Sequence, residues 1–106
     1  MFKGMSNIYK QAQKMQKDMQ KVQEELLDLK IDGQSGGGMV KVVVNGKKDP
    51  VSISINEDIL NEEKDMVEDL ILAAIKNALE NADKVAEEKM KKVTGGSMPN
   101  LNIPGF

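Results

Sequence analysis

Apolar residues near the amino terminus recur at intervals that alternate between three and four positions. A repeat of this kind predicts a long helix whose apolar seam pairs with another helix in a left-handed coiled coil. We expect about 22–25 residues in this helix, with Ser6 as its amino-terminal cap. The seam could pack on the protein's own second helix, pair across a dimer or bind a foreign helix. Its members are Met5, Ile8, Ala12, Met15, Met19, Val22, Leu26 and Leu29.

Shorter segments in the middle of the chain have the alternation that is typical of β-strands. Residues 30–35 could form a short first strand, and residues 40–44 alternate along two faces. Residues 51–55 place valine and isoleucine on one side and serine on the other, which predicts a strand with one buried and one solvated face. Asn45-Gly46 indicates a hairpin between these strands, because both residues tolerate positive φ. Pro50 lacks a backbone donor and should lie at a strand start or edge.

A second helix is predicted from about residue 62 or 63 to Lys92. Its acidic first turn and its closing lysines both suit the helix dipole. Its middle, residues 70–75, is apolar all round, so we expect one side to cover the sheet and another to meet the first helix or a second subunit. Asn56 or Asn61 could cap a preceding short turn or this helix.

The predicted order is helix, three strands, helix, which is an α+β architecture. Residues 1–93 form one domain, and residues 94–106, rich in Gly, Pro and Asn, form a mobile tail. A chain of 106 residues buries only a modest core. One helix over the sheet also leaves the other sheet face and the projecting seam uncovered. Pairing with a second copy would cover both, so we predict a homodimer.

The residue types that the chain lacks narrow its chemistry. It has no Cys and no His, so it has no disulfide or thiolate, and it lacks the commonest general base and metal ligand. No pair of carboxylates is placed for acid–base work. We therefore expect no enzyme activity, cofactor, metal or small-molecule substrate. No apolar run approaches the roughly 20 residues of a membrane span, and no signal peptide is evident, so we expect no membrane partner and a cytoplasmic protein.

Charge is segregated along the chain although the formal net charge is only −2. Residues 1–23 contain five lysines and one acid, a balance of +4, whereas residues 57–69 contain seven acids and one lysine, a balance of −6. All cations are lysines, which suit phosphate contact but read guanine poorly, so nucleic-acid binding would be to the backbone. The near absence of aromatic residues favours duplex DNA over single strands.

The lysines of the first helix fall at heptad positions opposite the apolar seam and form one cationic stripe. The stripe could grip DNA phosphates, with glutamines adding hydrogen bonds, or it could be an ordinary solvated face. Lysines at the end of the second helix could extend the surface, although the helix dipole alone also explains them. The candidate DNA-binding residues are Lys3, Lys10, Gln13, Lys14, Lys17, Lys21, Lys91 and Lys92.

Three stretches of the chain resemble the YbaB/EbfC family of bacterial nucleoid-associated proteins. They read YKQAQKMQ at 9–16 continuing to QEEL at 23–26, GQSGGGMVKV at 33–42 followed by Asn45-Gly46, and EDLILAAIKNA at 68–78. The resemblance implies an α-β-β-β-α protomer with a three-stranded antiparallel sheet, and an intertwined, tweezer-like homodimer whose protruding helices could straddle a duplex.

The same resemblance implies a role in the nucleoid. It indicates double-stranded DNA as partner, bound with low sequence specificity, and a function in organising the nucleoid or modulating gene expression. The net acidity of the chain favours an alternative, a protein-interaction adapter that uses the helical seam or the tail, with DNA binding incidental.

Overall fold

The computed structural model describes the backbone of residues 2–94 and the side chains of residues 7–93. The predicted tail, residues 94–106, lies outside this range except for the backbone of Thr94. The elements are α1 (Phe2–Asp28), β1 (Ile31–Ser35), β2 (Val40–Val44), β3 (Pro50–Ile55) and α2 (Lys64–Thr94), with 3-10 turns at Gly36–Gly38 and Glu57–Asn61. The predicted α-β-β-β-α order is confirmed.

Helix α1 is longer than predicted. It has 27 residues and begins at Phe2, so Ser6 lies inside it and the prediction of Ser6 as the cap is wrong. Once a helix is nucleated, each added residue gains a hydrogen bond at little further cost, so the helix continues upstream of the apolar seam. The prediction that Asn56 could cap a short turn before α2 is confirmed. Its side chain accepts a hydrogen bond from the backbone N–H of Asp58 and caps the turn at Glu57–Asn61.

The three strands form one antiparallel sheet in the order β1-β2-β3. Helix α2 packs across β1 and β2 and buries Val40, Val42 and Val44. The closest approach is at Gly33 in β1, where an added Cβ would lie 2.2 Å from the backbone nitrogen of Ala78. Small residues therefore line both sides of this contact and let the helix backbone rest directly on the strand.

The hairpin between β2 and β3 is confirmed, but its predicted geometry is wrong. Neither Asn45 nor Gly46 has a positive φ; the left-handed residue is Lys48, at 71°. The Lys48 N–H donates to the Asn45 carbonyl and the Asn45 N–H to the Asp49 carbonyl, the pattern of a three-residue loop that ends in a left-handed residue. Glycine at position 46 instead leaves room for α1, since an added Cβ would lie 2.6 Å from the Leu26 side chain of that helix.

Strand β3 is less buried than its sequence pattern predicts. Pro50 begins this edge strand, as expected. The register places Ile53 opposite Val42, on the face that α2 covers elsewhere, yet Val51 is 49% and Ile53 52% exposed. Because α2 lies over β1 and β2, the part of this face that Val51 and Ile53 form has no cover among the described residues. The predicted buried face is therefore wrong for a single copy.

The outer edges of the sheet, at β1 and β3, differ in the hydrogen bonding of their backbone groups. At β1, the side chain of Asn77 accepts a hydrogen bond from the Gln34 N–H (3.0 Å), and the amide of Asn81 donates to the Asp32 carbonyl (2.9 Å). Side chains of α2 therefore satisfy the backbone of this edge. Among the described residues, no side chain bonds the outer backbone edge of β3 in the same way.

Helix α1 joins the body through the second half of its seam. Val22 and Leu26 are buried against Ala86 of α2, with Val93 beside them. The N–H of Gly46 donates to the Leu26 carbonyl (2.7 Å), so the hairpin also holds this end of α1. Within residues 2–94, no helix combines the length and the apolar character that crossing a membrane requires.

Candidate nucleic-acid interface

The first half of α1 projects from the body as an arm, which we define as residues 2–21. The arm lies beyond the α1–α2 contact at Val22, and every side chain from residue 7 to residue 17 is exposed. With a rise of 1.5 Å per residue, residues 2–13 alone extend by about 18 Å. The molecule is accordingly elongated, measuring 72 Å along its longest axis.

The arm carries most of the predicted DNA-binding residues on its surface. Lys10, Gln13, Lys14, Lys17 and Lys21 are all exposed. The two ion pairs found among the described residues, Lys48–Asp83 and Lys89–Glu25, use none of the arm lysines. Lys3 lies on the helical backbone of the arm, but its side chain is outside the described part.

The acidic stretch lies far from the arm. Residues 57–69 form the turn before α2 and the first turns of α2, and their acidic side chains are exposed. This part of α2 lies at the end of the sheet where the Ser35 hydroxyl donates to the Leu70 carbonyl. The arm departs from the other end of α2, near Ala86 and Val93. The acids therefore leave the cationic stripe of the arm unneutralised.

The structure brings one lysine of α2 close to the arm and leaves another apart. An open cleft at the fork between the two helices is lined by Lys14 of α1 and Lys92 of α2, together with Lys89. Lys91 is exposed but does not line this cleft. Of the two candidate lysines at the end of α2, Lys92 therefore lies beside the arm and Lys91 does not.

Lys89 is another of the lysines near the end of α2 that could extend the surface, although it is not among the candidate DNA-binding residues. It is half-buried, with its ammonium 3.4 Å from a carboxylate oxygen of Glu25 on α1. The cleft also contains Asp18, so its local charge is mixed rather than purely basic. Lys89 lies one turn before Val93 on the α2 side that packs on α1, and this helical spacing is the signal that could have placed it at the fork.

Comparison with known proteins agrees with this architecture. Residues 1–98 match the model of the YbaB/EbfC DNA-binding family. The chain is 47% identical over 104 residues to nucleoid-associated proteins of Caldanaerobacter subterraneus subsp. tengcongensis and Thermoanaerobacter pseudethanolicus. Each alignment covers 97% of this chain and 90% of the relative.

A solved structure shares the fold. It is the crystal structure of an uncharacterized protein from Helicobacter pylori, which superposes with a TM-score of 0.64 at 26% sequence identity. The match covers 86% of this chain and 92% of that one. The order of elements, the extent of the family match and the identity to named relatives agree, and the chain belongs to the YbaB/EbfC DNA-binding family.

Proposed function

We propose that the protein is a nucleoid-associated protein that binds double-stranded DNA as a homodimer, through contacts between arm lysines and phosphates. The observation that carries this proposal is the exposure of Lys10, Lys14, Lys17 and Lys21 on the projecting arm, outside the two ion pairs found among the described residues. Membership of a DNA-binding family and relatives named as nucleoid-associated proteins support it.

The spacing of the stripe suits the DNA backbone. Lys10 and Lys21 are eleven residues apart, about 16 Å along the helix axis. Duplex DNA carries one phosphate charge per about 1.7 Å of its axis over both strands, so a segment as long as the stripe carries about ten charges. Lysine side chains are long and flexible, so the stripe can reach the phosphates on the side of this segment that faces the arm.

The chemistry of the stripe favours binding with little sequence preference. Lysine is a point charge on a flexible stem, and the chain has no arginine for bidentate contacts to guanine. Gln13 can add a hydrogen bond to phosphate or sugar, which positions the protein but reads no base. Binding at many sites would suit a protein that organises the nucleoid and modulates expression broadly.

The homodimer in this proposal is supported by the uncovered face of β3. Val51 and Ile53 expose about half of their surface there, and Leu72 on α2 is 64% exposed. Burying the exposed parts of these three side chains would contribute about 3–4 kcal/mol in total. A second copy placed over β3 would supply that cover and would give the assembly two arms.

Charge reversal on the arm tests the DNA interface. Replacing Lys10, Lys14 and Lys17 by Glu should abolish binding to a generic duplex, measured by fluorescence anisotropy at low salt, because phosphate contacts become repulsive. Wild-type affinity should fall with salt along a log–log slope of about −4 to −7, which corresponds to roughly 4–8 phosphates for two arms.

A matched control separates the arm from net charge. Replacing Lys41, Lys64 and Lys84 by Glu also changes the formal net charge from −2 to −8, but these exposed lysines lie on the body. This control should bind DNA nearly as the wild type does. Equal loss of affinity in the two variants, or a wild-type affinity that ignores salt, would rule out the arm as the binding surface.

The dimer is tested separately. Ile53→Ser should lower the native mass from two chains towards one in sedimentation equilibrium, because it places a hydroxyl in the face that a second copy covers. Ser54→Ala is the control, since Ser54 is the next residue along β3 and is exposed on its opposite face. A wild-type protein of single-chain mass at micromolar concentration would remove the dimer from the proposal and leave the DNA interface to be judged by the charge variants.

A further inference from the structure

The arm carries an apolar seam that packs on no other element within residues 7–93. The seam is continuous with the contact that holds α1 to the body, where Val22 and Leu26 are buried by α2. Nearer the tip, Ile8 is 68% exposed, Met15 is 36% exposed and Ala12 is exposed. The heptad spacing is the same in both halves, so the tip half has the pattern of a helix-pairing surface, and none of the described elements pairs with it.

Charges around this seam are arranged to permit a second helix. Tyr9, Gln11 and Gln16, which flank the exposed seam, are uncharged, and Asp18 is the single charged residue beside it. The lysines lie at heptad positions on the far side, so a second helix on the seam would leave them exposed. The sequence after Thr94 includes two prolines and two adjacent glycines, which disfavour a helix there. A helix from another copy therefore fits the seam better than the chain's own carboxyl-terminal segment.

We propose that the arms of two separate dimers pair with each other in antiparallel orientation through this seam, a step that rests on the proposed dimer. The usual layers of an antiparallel pair would set Ala12 opposite Met15 of the second copy, and Ile8 opposite its Met19. This orientation keeps the two basic tips apart, whereas a parallel pair would set five lysines beside five. Ala12 leaves room for close approach.

Geometry places this pairing between dimers rather than within one. Its two-fold axis crosses the arm between Ala12 and Met15, perpendicular to the helix and about 19 Å from Leu26. The uncovered face of β3 lies on the other side of Leu26 from the tip, because the hairpin contacts Leu26 and β3 leads away from it. A single two-fold axis therefore cannot generate both the contact between arms and the contact at β3. Two different isologous contacts therefore alternate and link dimers into a chain.

Such pairing gives the arm two functions on opposite faces. The lysine face binds the phosphates of a duplex, while the seam holds an arm that belongs to a dimer on another duplex. The structure thereby points to bridging of two DNA molecules as the mode of action, rather than bending of one.

Disulfide trapping tests the pairing directly, since the chain has no native Cys. Full-length Ala12→Cys protein is mixed with full-length Met15→Cys protein under mild oxidation, and the native mass is measured by size exclusion with light scattering. We expect a mixed disulfide in species whose native mass is at least twice that of the dimer, because both arms of a dimer can pair. Gln13→Cys, one position off the seam, replaces Ala12→Cys in the control and should give little cross-link.

Each other outcome overturns the proposal in a recognisable way. A disulfide that leaves the native mass at two chains would place the pairing within one dimer. Cross-linking that appears only after the chain is shortened to Thr94 would show that the carboxyl-terminal segment occupies the seam. The absence of a mixed disulfide in an intact dimer would refute arm pairing alone, whereas a single-chain mass before oxidation would refute the dimer itself.

A bridging assay supplies an independent readout. A biotinylated duplex on beads should retain a second, fluorescent duplex when the wild-type protein is present. The double variant Ile8→Gln with Met15→Gln should lose this retention at least several-fold while its affinity for one duplex, measured by anisotropy, stays unchanged. Retention equal to wild type would exclude the seam from bridging.

Discussion

Gly33→Ala should be strongly destabilising, because α2 rests on β1 at this position. An added Cβ would lie 2.2 Å from the nitrogen of Ala78, 2.5 Å from its Cα and 2.6 Å from the carbonyl oxygen of Ala74. Ordinary contact begins at 3.4 Å, so α2 would have to retreat by about 1.2 Å. All three atoms belong to a helix backbone, which cannot turn aside as a side chain can.

The expected loss of stability follows from the displacement of α2 away from the sheet. Overpacking of a tight core costs about 1–3 kcal/mol, and a displacement that involves a whole helix belongs at the upper end of that range. For a domain of this size, about 3 kcal/mol lowers the midpoint of thermal unfolding by more than ~10 °C. Urea unfolding followed by circular dichroism measures the change, at one fixed protein concentration so that the proposed dimer affects every variant equally.

Two further variants make the result diagnostic. Gly37→Ala introduces a Cβ that meets nothing within 4 Å, but the φ of Gly37 is +67°, so only the left-handed strain of about 1–2 kcal/mol should appear. Ala78→Gly should not rescue Gly33→Ala, because the clash is with backbone atoms that glycine also has. A loss for Gly33→Ala no larger than that for Gly37→Ala would refute the close contact between strand and helix.

Three other predictions concern the joints of the molecule. Leu26→Ala should cost about 2–5 kcal/mol in urea unfolding, because Leu26 is fully buried where α1 joins the body. Asn77→Ala should leave the Gln34 N–H without its acceptor and increase light scattering on storage, because an open β1 edge can pair with other chains. Lys48→Gly should raise the free energy of unfolding by about 1 kcal/mol, since glycine adopts a φ of 71° without strain. The comparison is made in an Asp83→Asn background, which lacks the ion pair between Lys48 and Asp83. No gain in stability would show that the backbone of Lys48 is not strained.

The sequence predicted those features of the fold that depend on a pattern along a whole helix or strand. The alternating spacing of the α1 seam and the alternation in β2 depend on many residues, so they predicted the elements and their order. The position of the lysine stripe opposite the seam also followed, because heptad positions fix which residues share a face. Lys10, Lys14, Lys17 and Lys21 are indeed exposed along the arm.

Features that depend on a single close contact were not predictable. Gly46 looked like a residue chosen for positive φ, but its place is set by the Leu26 side chain of another element. The exposure of Ile53 depends on where α2 stops across the sheet, which strand alternation does not encode. In each case the deciding atoms are distant in sequence.

The segregation of charge explains how a protein with net charge −2 can present a cationic surface. At physiological ionic strength, charge is screened over about 8 Å, so a phosphate near the arm senses the arm lysines and little else. The acids of residues 57–69 lie at the other end of α2, well beyond that range. In the proposed function, their repulsion of DNA acts on the body and favours an orientation in which the arms, not the body, approach a duplex. Net acidity is therefore compatible with DNA binding and helps to direct it.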